Sequence, residues 1–312
     1  MMEFWIAVGI GFVVLFCASI YFVYDACFSN NKRYMGDEDS LPMGEQYEPY
    51  HEIIKRGVNL VREEPYETVH VMSKDGLKLA GKYYHYKDDV PVVIFFHGYR
   101  CCAIRDGNGM FLYSKKLGYN ILMVDQRAHG LSEGKTITFG IRERFDCLSW
   151  VNYIIERFGK KTRILLTGLS MGAATVLMAS DVGLPENVKG IIADCGYSSP
   201  KGILKTVMKD LHYPVGITYW MAKLGAKVFG GFDIEEASAV DALKNTKISI
   251  LLIHGDDDRF VPYSMSEECQ KEGQDHIDLV LIKGAGHGMS FCVDAKAYEE
   301  AVSGFCHRVL EE

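Results

Sequence analysis

A serine in a glycine-rich turn is the strongest candidate for a catalytic nucleophile in this sequence. Ser170 lies in Gly-Leu-Ser-Met-Gly, after the apolar run 163–167 and before the small-residue stretch 173–179. A turn from strand to helix this tight holds the serine in a strained backbone, and its neighbours must be glycine to fit. The hydroxyl then stands clear of the sheet. The pattern predicts a nucleophile at Ser170, in preference to a plain glycine turn before a helix.

A serine hydroxyl attacks only when a base removes its proton, so a histidine must lie nearby. Among the ten histidines, His287 is the best candidate, because three glycines surround it and it directly follows an apolar run. A buried carboxylate must in turn orient the imidazole. We expect that carboxylate after the preceding strand, where the residues alone leave three candidates: Asp256, Asp257 and Asp258.

Short apolar runs alternate with helix-period segments from residue 67 onwards, which predicts how these residues are positioned. A mostly parallel α/β sheet of eight strands, flanked by helices, follows from this alternation. In such sheets the chemistry gathers beyond the carboxyl ends of the strands. The predicted strands are 68–72, 79–86, 91–96, 120–124, 163–167, 188–193, 248–253 and 277–282, and the main predicted helices are 105–117, 141–158, 170–180, 264–271 and 294–310.

The interval between Asp194 and Ile248 is longer than a simple crossover requires. Its helix-compatible apolar segments predict a small helical cap inserted at about 198–246, and an ordinary long crossover is the alternative. Aromatic side chains in this interval either line a substrate pocket or belong to the core: Tyr213, Tyr219, Trp220 and Phe229.

The order of serine, aspartate and histidine resembles that of the α/β-hydrolase superfamily. The segment 254–262 is similar to its His-Gly-x-x-Asp-x-x-Val-Pro pattern, which aligns the acid with Asp258. The resemblance covers nearly all of residues 67–312, including His97-Gly98-Tyr99, and is strongest to small-cap serine esterases and serine aminopeptidase-like hydrolases. It implies an α/β-hydrolase fold and a triad of Ser170, Asp258 and His287.

The same resemblance implies which backbone groups stabilise a negatively charged carbonyl oxygen. Two fixed N–H donors do so in acyl transfer, and the matching positions are Tyr99 and Met171. His97 and His254 are expected to brace loops, and Arg127 and His129 to satisfy backbone carbonyls in their turn. Asp194, at another strand end, is an alternative position for the acid.

An uncharged apolar run occupies residues 4–24, which is long enough to cross the hydrocarbon core of a bilayer. Glu3 before it and the lack of a small-residue cleavage site favour a transmembrane helix over a signal peptide. We expect a polar connector at 25–66 and the hydrolase domain at 67–312. Lys32 and Arg33 follow the span, and basic residues on that side favour a cytoplasmic catalytic domain in a single-pass membrane protein.

Charge and cysteine content exclude several classes of protein. The formal charge of −7 and the lack of a basic block argue against nucleic-acid binding. Nine cysteines without a Cys-x-x-Cys pair argue against a zinc ribbon or a disulfide framework, so Cys101 and Cys102 are expected to be reduced thiols. No metal or organic cofactor is implied.

Together these features predict a membrane-anchored serine hydrolase that cleaves small-molecule carboxylic esters through an acyl-enzyme. An aminopeptidase, a thioesterase or an acyltransferase with the same triad is the alternative. The aminopeptidase needs a carboxylate for the substrate's ammonium, and Glu235 and Glu236 of the cap are candidates for it. A non-catalytic binding module is a further alternative. Acyl length, leaving group and oligomeric state are not specified by the sequence.

Overall fold

The computed structural model describes residues 1–31, 35–273 and 275–310. Its central feature is one sheet, which has eight strands in this described part of the chain, in the order β1-β2-β4-β3-β5-β6-β7-β8. The strands are β1 Glu67–Met72, β2 Lys78–Tyr84, β3 Val92–Phe96, β4 Asn120–Asp125, β5 Ile164–Leu169, β6 Val188–Asp194, β7 Ser249–Gly255 and β8 Ile277–Ile282.

The sheet is mostly parallel, with an antiparallel edge. β1 pairs with β2 and β2 with β4 in antiparallel fashion, and every other pairing is parallel. The Lys74-Asp75-Gly76 turn joins the β1–β2 hairpin, and Gly76 takes a φ of 87° there. The α/β-hydrolase fold predicted from the sequence is confirmed.

Helices cover both faces of the sheet. They are α1 Met2–Phe28, α2 His51–Arg62, α3 Ala103–Leu117, α4 Glu143–Phe158, α5 Met171–Ala179, α6 Pro200–Asp210, α7 Val215–Gly225, α8 Ala239–Leu243, α9 Ser264–Lys271, α10 Ser290–Val293 and α11 Ala295–Leu310. A short 3₁₀ turn, Glu48–Tyr50, precedes α2, and a π-helical turn, Ala226–Gly230, follows α7.

Buried residues of β3 divide between two hydrophobic clusters, one on each face of the sheet. Ile94 and Phe96 pack in the cluster that includes α4 and α5, whereas Val93 and Phe95 pack in the one that includes α3 and α11. Alternation along a strand sends successive side chains to opposite faces. A strand covered on both faces must therefore be apolar throughout, as this one is.

Helix α1 is long and apolar enough to cross a membrane. Most of its side chains are exposed, but Ile20, Tyr24 and Phe28 are buried against the rest of the molecule. Tyr24 Oη hydrogen bonds with Thr136 Oγ1 at 2.7 Å, and Phe28 O accepts from Ile137 N. The end of this helix is therefore part of the folded domain, beyond the simple span expected at 4–24.

Between β6 and β7 lie α6, α7, the π-helical turn and α8. This is the interval predicted to hold a cap at 198–246. Helix α8 packs on α5, and α7 packs on α1. Lys32 and Arg33, on which the predicted membrane orientation depends, lie outside the described residues.

Candidate active site

Ser170 occupies a sharp turn between β5 and α5. Its φ is 55° and ψ −113°, a conformation that costs energy for a residue other than glycine. A Cβ on Gly168 would lie 2.3 Å from the Gly172 carbonyl carbon, and a Cβ on Gly172 would lie 2.0 Å from Phe96 O. Only glycine fits either position, because backbone passes there. The strained serine is held by its N–H, which donates to Asp194 O at 2.8 Å.

The structure brings Ser170, His287 and Asp258 together. His287 Nε2 lies 2.9 Å from Ser170 Oγ, and His287 Nδ1 lies 2.7 Å from Asp258 Oδ2. Carboxylate contact at Nδ1 favours the tautomer with its proton there, which leaves Nε2 as the acceptor for the serine proton. The hydrogen-bonded order needed to activate a serine is therefore present.

Asp258 is held on both of its carboxylate oxygens. Oδ1 accepts from Phe260 N and Val261 N at 2.9 and 2.8 Å, and Oδ2 accepts from His254 Nε2 as well as from His287. Burial by itself would raise the pKa of Asp258, but His287 and His254 hold it well below its usual value. The acid is thus a fixed anion behind the imidazole. Asp256 and Asp257 lie in the adjoining turn and make other contacts.

His254 is a buried brace for the acid, as predicted. Its Nε2 faces two acceptors, Asp258 Oδ2 at 3.1 Å and Val261 O at 2.9 Å, so this nitrogen carries the proton. Its Nδ1 then accepts from Ser266 Oγ at 2.7 Å. His97 plays a similar role in another loop, where its Nε2 accepts from Gln126 N.

The turn after β3 carries Tyr99, one of the two predicted oxyanion donors. A Cβ added to Gly98 would lie 3.6 Å from Ser170 Cβ, so this turn passes directly beside the serine. Gly98 N donates to Asp106 Oδ2 at 2.7 Å. Met171, the other predicted donor, is the first residue of α5, where N–H groups have no partner within the helix.

Asp106 is an anchor for this turn that the sequence reasoning missed. Besides the Gly98 N–H, it accepts from the Cys101 thiol at 2.6 Å. Burial raises the pKa of Cys101 well above its usual value, so the thiol keeps its proton to donate. An acidic residue in the first turn of a helix is a common pattern, and nothing local connects Asp106 to Gly98, eight residues earlier.

The far side of the same turn is attached to α1. Tyr99 Oη donates to Cys27 O at 2.7 Å, and Arg100 Nη2 donates to Asp25 O and Ser29 O. Carbonyls at a helix end lack partners within the helix, and a guanidinium complements the negative end of its dipole. The turn beside the serine is therefore joined to the end of the apolar helix.

The turn that is joined to α1 contains a strained backbone conformation. Arg100 has a φ of 53°, and its N–H donates to His129 Nε2 at 3.0 Å. Burial lowers the pKa of His129 to about 3, so the ring is neutral and Nε2 is free to accept. Its Nδ1 bonds Arg127 O, as predicted for this residue. Arg127 itself was expected to serve backbone carbonyls, but its guanidinium instead pairs with Asp146 and Asp75.

A cavity of about 200 Å³ adjoins Ser170. Among the described residues its walls come from the turns around the serine, from α3, from the connector and from α10 and α11, and none comes from 195–259. The connector contributes Pro42, Tyr47 and Ile54. The cap aromatics were expected either to line a pocket or to belong to the core. None of them lines this cavity: Tyr219 is buried, as a core residue would be, while Tyr213, Trp220 and Phe229 are exposed.

Asp194, the alternative acid, lines the cavity but serves a different network. Its carboxylate accepts from Ser290 Oγ at 3.3 Å, and burial raises the pKa of Asp194 to about 6. His287 instead bonds Asp258.

One group in the described chain has metal-ligand geometry, namely Cys195, Asp258 and His287, whose ligand atoms lie within 4.8 Å of each other. Asp258 and His287 already bond each other, and burial raises the pKa of Cys195 well above its usual value. A protonated buried thiol is a poor ligand. The nine cysteines are all free thiols.

Fold and site together define a serine hydrolase of the α/β-hydrolase class. Residues 114–312 match the prolyl oligopeptidase family, and the chain belongs to that family.

Relatives with curated descriptions are distant. The chain is 25% identical over 236 residues to the uncharacterized protein YqkD of Bacillus subtilis, covering 75% of this chain and 77% of that protein. It is 23% identical over 265 residues to a bifunctional esterase/perhydrolase of Acinetobacter calcoaceticus, covering 70% and 93%.

Solved structures share the fold. An esterase of Pyrococcus furiosus superposes with a TM-score of 0.67 at 22% identity, covering 87% of this chain and 97% of that one. An acylaminoacyl peptidase of Pyrococcus horikoshii gives a TM-score of 0.59 at 22% identity, covering 82% of this chain and 44% of that one.

Proposed function

We propose that the protein is a membrane-anchored esterase in which Ser170 forms an acyl-enzyme. The observation that carries the proposal is the hydrogen-bonded chain from Asp258 through His287 to Ser170 Oγ, with separations of 2.7 and 2.9 Å. Ser170 Oγ attacks the ester carbonyl carbon while His287 Nε2 takes the hydroxyl proton. Asp258 keeps the imidazole oriented and stabilises its positive charge.

Backbone N–H groups of Tyr99 and Met171 stabilise the oxygen that becomes negative in the tetrahedral intermediate. When that intermediate collapses, the C–O bond to the alcohol breaks and the alcohol leaves with the proton from Nε2. Water then attacks the acyl-enzyme and gives a proton to the same nitrogen. The bond between the acyl carbon and Ser170 Oγ breaks, Nε2 returns the proton to Oγ, and the carboxylic acid leaves. The balance of atoms requires only the ester and water.

Ester substrates are favoured over amino-terminal peptides by the charges near the cavity. The acidic cap residues expected to hold an ammonium are engaged elsewhere: Glu235 pairs with Lys223 and Lys201, and Glu236 pairs with Arg144. Asp106 and Asp194 line the cavity, but Asp106 is already bonded to Gly98 N and Cys101 and Asp194 to Ser290. The esterase/perhydrolase relative agrees with an ester substrate, whereas the family name keeps a peptidase as the second candidate.

Membrane anchoring is the second part of the proposal. Helix α1 has 27 residues, whose exposed side chains include Phe4, Ile10, Phe12 and Leu15. Such a surface is unfavourable in water and suits a lipid environment.

Fluorophosphonate labelling of the full chain in detergent tests the nucleophile, with hydrolysis of a short p-nitrophenyl ester as the second readout. We expect Ser170→Ala to abolish labelling and to lower kcat by about 10⁴-fold or more, because the activated hydroxyl is lost. Ser303→Ala, on the exposed surface of α11, is the matched control and should behave like the wild type. Retained ester hydrolysis in Ser170→Ala would refute the assignment.

Substrate class is tested separately, by comparing an ester with an aminoacyl-naphthylamide of similar size. We expect kcat/KM to favour the ester. A preference for the amide that requires a free amino group would establish the peptidase instead.

A further inference from the structure

Large apolar side chains are exposed on the segment that includes α7 and the π-helical turn. We call this surface the cap patch; its members have 41% to 64% of their surface exposed, and they are Leu211, Tyr213, Ile217, Trp220, Val228 and Phe229. Several large exposed apolar side chains on one short segment are typical of an interaction site. It lies apart from the catalytic cavity, whose walls it does not join.

Lysines lie within and beside the cap patch. Between Leu211 and Gly231 the sequence contains Lys223 and Lys227 but no aspartate or glutamate, and Lys223 also pairs with Glu235, beyond the segment. Exposed Lys209 and Asp210 lie just before it. Aromatic rings beside lysines are typical of surfaces that meet the headgroup region of a bilayer, where the rings enter the interface and the amines reach anionic lipids.

The cap patch is continuous with α1. Trp220 lies 6.1 Å from Phe16 between ring centroids, and Phe229 lies 5.2 Å from Tyr21. The two helices approach closely at Gly225, where an added Cβ would lie 2.9 Å from Tyr24 Cβ. Any membrane that surrounds α1 at the level of Phe16 therefore also meets Trp220.

The length of α1 sets the depth of this contact. Because Ile20, Tyr24 and Phe28 are buried in the domain, the segment left for lipid is residues 2–19. At 1.5 Å per residue it spans about 27 Å, close to the thickness of the hydrocarbon core. Phe16 is one turn from the domain end of that segment, so its neighbour Trp220 lies at the boundary between acyl chains and headgroups.

We propose that the cap patch docks into the interface of the same phospholipid bilayer that α1 crosses, so that the catalytic domain is attached to the membrane at two places. This inference rests on the membrane anchoring proposed above. It adds a restricted orientation, because α1 alone can tilt in the bilayer together with the domain packed on its end, whereas a second contact on α7 limits that tilt.

Tryptophan quenching by brominated lipids tests this in the full chain. The protein has three tryptophans, of which Trp150 is buried in the core. In the variant Trp5→Phe the fluorescence comes from Trp220 and Trp150. In the double variant W5F/W220F it comes from Trp150 alone. The variant Trp220→Phe reports Trp5, and hence the insertion of α1, in the same vesicles of phosphatidylcholine and phosphatidylglycerol.

We expect lipids brominated near the headgroup end of the chain to quench W5F at least about twofold more than W5F/W220F, because an indole prefers the interface. Lipids brominated near the chain end should quench W5F less. If Trp5 is quenched and Trp220 is not, or if Trp220 responds best to the deep bromines, interfacial docking is refuted while the anchor stands. Quenching of neither residue refutes both proposals.

A charge placed in the cap patch sharpens the test. Ile217→Glu in the W5F background should bring lipid quenching down towards the W5F/W220F level and leave hydrolysis of a soluble ester unchanged, since Ile217 is outside the catalytic cavity. Leu281→Glu on the exposed face of β8 is the matched control and should keep full quenching. Shielding of Trp220 from aqueous iodide without any lipid quenching would show that a second copy of the chain covers the patch, and would overturn the proposal.

Discussion

The two ends of the candidate active site are held in different ways. At the acid–base end, Asp258 and His287 lie on loops that follow neighbouring strands, β7 and β8, and Asp258 is held by groups from residues 254–261. At the proposed oxyanion end, the turn after β3 is held by Asp106 and by carbonyls at the end of α1, which lie more than 70 residues away along the chain.

This contrast indicates which part of the candidate site depends on the apolar amino-terminal helix α1. The acid–base end is supported within the hydrolase domain, so it is expected to survive disturbance of α1. The oxyanion turn shares hydrogen bonds with the last turn of α1, so its geometry and the position of that helix are linked. Four predictions test the difference, beginning with the largest effect.

Replacing the acid should cost the most. Asp258→Asn turns an acceptor into an amide that cannot hold the required imidazole tautomer, and we expect kcat for ester hydrolysis to fall by about 10³- to 10⁴-fold. The neighbour Asp257 bonds Arg259 at the exposed surface, so Asp257→Asn is the control and should retain activity. Equal losses in both variants would contradict the assignment of the acid.

Asp194 should limit stability rather than chemistry. Its folded pKa is about 6, above the value in an unfolded chain, so the folded state binds the proton more tightly. The contribution of Asp194 to the free energy of unfolding is therefore largest below pH 4, and it falls by up to about 3 kcal/mol as the pH rises through 6. The variant Asp194→Asn has no carboxyl group that titrates in this range, so its free energy of unfolding does not fall in this way.

We therefore expect the Tm of Asp194→Asn in detergent to exceed that of the wild type at pH 8, with the difference shrinking towards pH 4.5. Thermal unfolding across this pH range measures it. A difference that does not change with pH would show that the carboxyl group is not titrating as burial requires.

Removing the brace of the oxyanion turn should lower the rate without weakening binding. In Asp106→Ala the Gly98 N–H loses its acceptor, and we expect kcat to fall about 10- to 100-fold. This is a smaller fall than removal of a whole oxyanion donor would cause. KM should change little, since the contact acts on the turn. Cys101→Ala leaves the Gly98–Asp106 bond in place and should stay near wild type; a larger loss in that variant would assign the effect to packing.

The link to α1 should have the smallest effect. Tyr99→Phe removes one neutral hydrogen bond, to Cys27 O, which is worth about 1 kcal/mol, or about fivefold in kcat if it is fully expressed at the oxyanion turn. Tyr66→Phe, on the exposed surface, is the control. No change in kcat for Tyr99→Phe would show that this hydrogen bond to α1 does not set the geometry of the turn, which Arg100 also joins to α1.

Several features were accessible from sequence because they are local. The eight apolar runs predicted the strands to within two residues at nearly every end, since a buried strand must be apolar over its length. The glycines around Ser170 were informative for a similar reason, as close backbone contacts forbid any side chain there. Asp258 needed more than spacing, because three adjacent aspartates differ only in which one the loop turns inward.

Other features depend on contacts between distant segments and left no local pattern. In the sequence, Asp106 looks like any acidic residue at the start of a helix. The connector has the composition of a polar linker, although Pro42 and Tyr47 line the cavity. The cap aromatics were equally ambiguous, because helical spacing does not say whether the exposed face of α7 meets a pocket, a core or α1.

Residue types and their order along the chain were enough to determine the fold, the strained turn that presents Ser170 and an apolar amino-terminal helix, since backbone sterics and burial act locally. Only the tertiary structure decided what supports each end of the site, which segment walls the cavity and which surface lies beside α1. Those are matters of relative position, and they follow from how the strands and helices pack against each other.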